Sequence, residues 1–305
     1  WPVFAVCGWY LLPLLADALA WHYLFPRASP PGVPRATLWR WVAQSVNGLL
    51  PAAQVGGELV RVRLAVRGGF TPPLVVTTVL ADLLNGVATQ IVFALLGLSA
   101  LLALGAEMAP AGWTAELLSI VGAGALAGLL LTAGLVVLGA FAFDRALVHR
   151  SLMRIALYLG RAGAPALGQA LAAGVSEVRE QFQRIVRDGT RLVWAFVWRL
   201  AGWILGVGEI WLGVNLLGYP LTVLEALLLE SLVQLGRTAA FMVPGALGLQ
   251  ETVIVAMGAA LGLPAEVGLG MALVKRLREL VIGLPGLVVW QWLEGRELAV
   301  SRRRE

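Results

Sequence analysis

Five apolar runs, 1–25, 73–104, 117–143, 192–217 and 267–293, recur from one end of the chain to the other. Each meets the roughly 20 residues a helix needs to cross the hydrocarbon core of a bilayer. Backbone polar groups in hydrocarbon must be satisfied within the segment, so runs of this kind predict helices. Composition agrees, with 59% hydrophobic and only 13% charged residues over 305 positions and a mean hydropathy of +0.82. Soluble domains carry about 25% charged residues. A soluble globular enzyme is therefore excluded, and 1–305 reads as one integral, all-α, polytopic membrane domain. Residues 1–25 lack a basic leading segment and a cleavage signature, so a membrane helix is expected there rather than a signal peptide.

Cys7 is the single cysteine, and His22 and His149 stand far apart. That leaves no disulfide framework and no ligand spacing for zinc or haem, so no metal or cofactor is expected. The net charge of +5 rests almost wholly on arginine, Lys275 being the one lysine. These arginines lie between apolar runs, where they flank a membrane rather than bind nucleic acid. Their distribution predicts an orientation. Arg27, Arg35, Arg40 and then Arg61, Arg63, Arg67 bracket one broken segment on the cytoplasmic side, and the 144–191 connection is also strongly basic. The 105–116, 218–220 and 264–266 links have no Lys or Arg and are expected outside, with the Arg-rich C-terminus inside.

Two apolar regions are interrupted by proline. Residues 38–64 have Pro51 at their middle, leaving arms of 13 residues on either side. Each arm would rise about 20 Å, short of the ~30 Å core, which predicts a re-entrant hairpin. Residues 221–263 contain Pro244 in the same role, with arms long enough for a hairpin or for two full spans. The tips read Pro51-Ala-Ala-Gln-Val-Gly56-Gly57-Glu58 and Pro244-Gly245-Ala-Leu-Gly248-Leu-Gln250-Glu251, with proline and glutamate seven apart in both. Broken segments at matching places in two halves point to inverted repeats around a binding site. The repeats are expected over about 1–104 and 192–293, with the hairpins entering from opposite faces.

In the 144–191 connector, Leu167, Leu171, Val175, Val178, Phe182 and Ile185 form one helical stripe, with Pro165 in the first turn and Gly189 at the stop. This amphipathic helix could lie on the cytoplasmic lipid surface or pack against the bundle.

Ionisable side chains within membrane segments are costly and mark function by default. Candidate cavity residues are Asn47, Glu58 and Arg61 near the first hairpin, and Asp82 and Asn85 on the stripe that also holds Thr78 and Thr89. Around the second hairpin they are Glu230, Gln234, Arg237, Gln250 and Glu251. In the last run, Lys275, Arg276, Arg278 and Glu279 crowd into five residues, a local excess of two positive charges. Glu230 and Glu251 are the expected protein partners, and either a fully paired cluster or a cation free for a ligand is compatible with the pattern. Arg199 lies eight residues into its run, where it could snorkel to the interface. No Ser/His/Asp or Cys/His set exists to carry catalysis, so a catalytic role would have to use carboxylates and arginines alone.

The stretches Asn47-Gly-Leu-Leu-Pro51 through Gly56-Gly57-Glu58-Leu-Val-Arg61, and Glu230-Ser-Leu-Val-Gln234 through Phe241-Met-Val-Pro244-Gly-Ala-Leu-Gly-Leu-Gln250-Glu251, resemble the flippase-like transmembrane family of lysylphosphatidylglycerol synthases. The later Leu-Val-Lys275-Arg276-Leu-Arg278-Glu279 through Leu-Pro285-Gly-Leu looks most like its stand-alone branch associated with hopanoid biosynthesis. The resemblance implies a multi-pass protein of the bacterial inner membrane that moves a lipid with a polar or anionic headgroup between leaflets. The aminoacyl-transferase domain of bifunctional members is not expected in 305 residues. Two other readings stand beside it, a membrane-embedded enzyme or accessory of lipid synthesis and a structural partner of other membrane enzymes. The expected partners are membrane lipids, with a second copy or lipid-synthesis enzymes as further candidates.

Overall fold

The structure, a computed structural model, describes residues 2–50, 56–108, 165–239 and 248–301. Among these residues every regular element is an α-helix. They are α1 Pro2–His22, α2 Val33–Leu49, α3 Gly56–Arg67, α4 Pro72–Met108, α5 Pro165–Arg187, α6 Gly189–Leu216, α7 Val223–Ala239, α8 Leu249–Ala260 and α9 Ala265–Ser301. Three are long and apolar enough to cross a membrane, namely α1, α4 over Pro72–Leu104, and α6. The chain is thus an all-α membrane protein. The expected run 267–293 lies inside α9, whose 37 residues suffice for a crossing but whose charged turn at 275–279 removes it from the purely apolar class. The 117–143 run lies outside the described residues, as do Pro51, Pro244 and Gly245.

The first broken segment differs from the symmetric arms read from Pro51. Pro34, whose fixed φ suits a first turn, starts α2 at Val33, so that helix is 17 residues long. Helix α8, Leu249–Ala260, is 12 residues long. Rising about 18 Å, α8 does not reach across a ~30 Å core. The connector also departs from expectation at its end. Gly189 does not stop α5; the helix finishes at Arg187, and Asp188 caps α6 by accepting the Arg191 N–H. Of the two placements open for α5, its C-terminal part packs against the bundle: Ile185 is buried in one core cluster with Trp21 and Val75, and the Thr77 hydroxyl donates to the Val178 carbonyl.

Contacts fix the relative directions. Trp9 Nε1 donates to the Leu205 carbonyl and the Tyr23 ring stacks on Trp194, so α1 and α6 run antiparallel. Asn85 bonds the Ala195 carbonyl and Trp203 bonds Thr89, so α4 and α6 run parallel. Arg63 and Arg67, at the end of α3, reach Glu294 near the end of α9 at 2.8 and 2.9 Å. The α2–α3 pair therefore opens at the end of the bundle where α1 finishes. The α7–α8 pair follows directly from the other end of α6 and opens there. Within the first pair, the Asn47 side chain accepts the Gly57 N–H at 2.7 Å, and a Cβ on Gly57 would stand 2.1 Å from the Ala43 carbonyl oxygen. Only glycine permits that approach.

A single shift relates α3 and the long helix after it to α8 and the long helix after that. Adding 193 carries the end of α3, Arg67, onto the end of α8, Ala260, and the start of α4, Pro72, onto the start of α9, Ala265. The helix ends coincide in detail. Phe70 N–H bonds the Ala65 carbonyl with Gly69 at φ +98°, and Leu263 N–H bonds the Gly258 carbonyl with Gly262 at φ +80°. Both are six-to-one C-terminal caps around a left-handed glycine. The same step from a short helix through a left-handed glycine to a long helix thus occurs twice.

Candidate functional site

Asp82, on α4, is wholly buried at 0% exposure and collects three guanidiniums. Arg40 of α2 approaches at 2.9 Å, Arg61 of α3 at 2.6 Å and Arg199 of α6 at 3.2 Å. Asp17 of α1 holds Arg40 at 3.2 Å and Arg199 at 2.9 Å, while Glu58 holds Arg61 at 2.5 Å. Three arginines meet three carboxylates, so this first cluster is neutral. The Arg61 guanidinium also lies 4.7 Å from the Trp21 ring, whose π-face favours a cation.

A second cluster gathers on α9. Lys275, 1% exposed, bonds Glu230 at 2.7 Å, and Glu230 also accepts from Gln234 at 2.6 Å. Arg276 bridges Glu251 and Glu279, the latter at 2.7 Å. Arg278 bonds Glu209 of α6 at 2.9 Å and lies 4.1 Å over the Tyr10 ring. Arg237 bonds the Gln250 side-chain carbonyl at 2.9 Å and reaches Glu279 only at 3.4 Å. Four cations again meet four carboxylates. The excess of two positive charges read within α9 is therefore compensated from α6, α7 and α8, through the two expected glutamates and Glu209. Gln44 ties the clusters together, donating to Asp17 at 3.1 Å and accepting from the Tyr10 hydroxyl at 3.0 Å.

Between the clusters lies a cavity of about 460 Å³, lined from the first by Asp17, Arg40, Glu58 and Arg199 and from the second by Glu209, Glu230, Arg237, Lys275 and Arg278. A smaller recess of about 180 Å³ adjoins it, sharing Tyr10, Asn47, Arg237 and Arg278 and adding Gln44 and Glu279. Of the expected site residues, Asn47, Glu58, Glu230, Gln234, Arg237, Lys275, Arg278 and Glu279 line one or both spaces. Arg61, Asp82, Gln250, Glu251 and Arg276 stand behind or beside that lining and hold it in place. Asn85 belongs to neither space, since its amide is spent on the Ala195 carbonyl. Gly56 and Gly57 open α3, and Gly248, at φ +84°, precedes α8 and donates its N–H to Glu251.

Several contributors were not among the expected cavity residues. Arg199 does not snorkel; its side chain is buried between Asp17 and Asp82. Arg40 is not a flanking charge but an inner member of the first cluster. Asp17 was overlooked, although a lone carboxylate in an apolar run is the signal applied elsewhere. Tyr10, with no charge, gave no signal.

The family match extends over this whole arrangement. The model of the lysylphosphatidylglycerol synthase transmembrane region matches residues 1–286. The chain belongs to that family. No curated protein and no solved structure matches it. Membership of the lysylphosphatidylglycerol synthase transmembrane-region family makes this a membrane protein of lipid metabolism or translocation, and it places both ion clusters inside the matched region.

Proposed function

We propose that the chain translocates a lipid with a polar or anionic headgroup between leaflets, the headgroup passing through the charged cavity while the tail stays in hydrocarbon. The cavity between the two ion clusters carries this reading. At about 460 Å³ it falls within the ordinary range for small-molecule sites, and charged groups from six helices converge on it. Each carboxylate of the two clusters is tied to a guanidinium or ammonium, an arrangement suited to holding charge rather than to exchanging protons with a substrate. That favours transport over membrane-embedded chemistry.

The repetition of helices by 193 residues, with α1 and α6 antiparallel and the two short pairs opening at opposite ends, supports inverted repeats with re-entrant hairpins meeting at the cavity. Within this reading Arg237 is the headgroup's first contact. It lines both spaces, its side chain is 27% exposed, and its only described ion pair is long.

The test is leaflet exchange of fluorescent lipids in proteoliposomes, read by an impermeant quencher across phosphatidylglycerol, phosphatidylethanolamine and phosphatidylcholine. Exchange above protein-free vesicles is expected for at least one headgroup. Losing a charge-assisted hydrogen bond of about 1.5–3 kcal/mol predicts that Arg237→Gln slows it roughly 10- to 150-fold while the protein elutes as wild type. No exchange for any lipid in the panel would overturn the proposal.

A further inference from the structure

A second polar space lies apart from the central cavity and shares none of its lining residues. It measures about 360 Å³ and sits where α1 finishes and α6 begins. Arg27, in the α1–α2 connection, and Thr190 and Arg191, in the first turn of α6, line one side. Tyr23 and Trp194 form an aromatic wall, their rings 6.1 Å apart and 22° from parallel. Asp188 is the one described carboxylate against these two arginines. It engages Arg191 through Nε at 2.8 Å and Arg27 through a terminal nitrogen at 3.5 Å. The second contact is long, and the Arg27 side chain is 71% exposed, so that pair is weak. Two guanidiniums against one carboxylate leave one positive charge in excess at the mouth of the space.

The charge is only half of the feature. Val193, Trp194 and Val197 are exposed on α6 beside it, an apolar strip running from the pocket along the helix. A free anion would use the arginines and ignore the strip. An amphiphile would use both. The tyrosine and tryptophan are the residue types that sit at headgroup depth.

We infer that this space is a binding site for an anionic phospholipid of the leaflet at the α1-terminal end of the bundle, with the headgroup phosphate between Arg27 and Arg191 and an acyl chain along Val193 and Val197. The site is separate from the translocation cavity, and its occupancy is measured by binding alone, so failure of either proposal leaves the other standing.

The experiment uses the full chain in detergent micelles with lipids brominated on the acyl chain. The protein has 12 tryptophans, so the Trp194→Phe variant serves as the subtraction that isolates quenching of Trp194. Brominated phosphatidylglycerol should quench Trp194 at about thirtyfold lower mole fraction than brominated phosphatidylcholine, as expected for two basic groups at a membrane surface. Arg27→Gln should remove that preference. Arg35→Gln, which alters a basic side chain bonded to the Gly68 carbonyl outside the pocket, should keep it. Inorganic phosphate should leave the quenching unchanged. Equal quenching by the two lipids, a preference that survives Arg27→Gln, or one lost equally in Arg35→Gln would each overturn the assignment. Displacement of phosphatidylglycerol by inorganic phosphate would overturn it as well, in favour of a free-anion site.

Discussion

Asp82→Asn tests whether the first ion cluster is as interdependent as its geometry implies. The substitution keeps shape and removes one charge at a wholly buried position contacted by Arg40, Arg61 and Arg199. Three arginines then face only Asp17 and Glu58. Breaking a buried pair by removing one partner costs about 3–5 kcal/mol, because the other charge stays buried without compensation. That is a roughly 10²- to 10⁴-fold fall in the ratio of folded to unfolded protein. A double variant, Asp82→Asn with Arg40→Met, restores balance, leaving Arg61 with Glu58 at 2.5 Å and Arg199 with Asp17 at 2.9 Å. It should therefore recover about half or more of the loss, an interaction far outside additivity. Unfolding free energies from detergent titration would read both variants. A single variant within about 1 kcal/mol of wild type, or a double variant at or below the additive sum, would refute the reasoning.

Gly57→Ala should destabilise by about 1–3 kcal/mol, because the added Cβ would lie 2.1 Å from the Ala43 carbonyl oxygen and force α2 and α3 apart; thermal unfolding in detergent measures it. Gly69→Ala and Gly262→Ala should each cost about 1–2 kcal/mol for a left-handed alanine, and by similar amounts, since the two caps share one geometry and neither glycine has a neighbour within 4 Å. A wide disparity between these two melting shifts would mean that the caps are not equivalent.

The helices were legible because hydrocarbon leaves the backbone few options: apolar runs at 1–25, 73–104 and 192–217 became α1, α4 and α6 with ends moved by a few residues. The ends moved where local chemistry outweighed hydropathy, as at Pro34, which starts α2 early, and at Asp188, which makes Gly189 the start of a helix instead of a stop. Within the site, the glutamate partners of α9 could be named because Glu230 and Glu251 lie close before it in the chain. Glu209, 69 residues from Arg278, could not, since nothing local ties α6 to α9. Arg40 illustrates the reverse failure. Its charge was visible, but whether an arginine near a helix start flanks the membrane or enters the bundle depends on Asp17 and Asp82, which only folding brings within reach.

The repetition was half hidden for a related reason. The shift of 193 superposes Glu58 on Glu251, but it also superposes Asp82 on Lys275, opposite charges at one position of the two long helices. A comparison of residue types sees a mismatch there; electrostatics sees two solutions to one problem. A charge buried in a bundle needs counter-charges, and either sign works if the neighbours match it. Asp82 has drawn three arginines and Lys275 a glutamate. Each cluster is consequently neutral within itself, and among the described residues no ion pair joins one to the other. The links between them run through neutral groups, Gln44 and Tyr10. Neutral clusters joined by hydrogen bonds can shift relative to one another without pulling opposite charges apart in a low-dielectric medium, where separation would be most costly. Helix α6 is the exception, because it carries Arg199, paired with Asp17 and Asp82, and also Glu209, paired with Arg278 of the other cluster. A shift of one cluster against the other must therefore exchange the partners of one of these two side chains, Arg199 or Glu209.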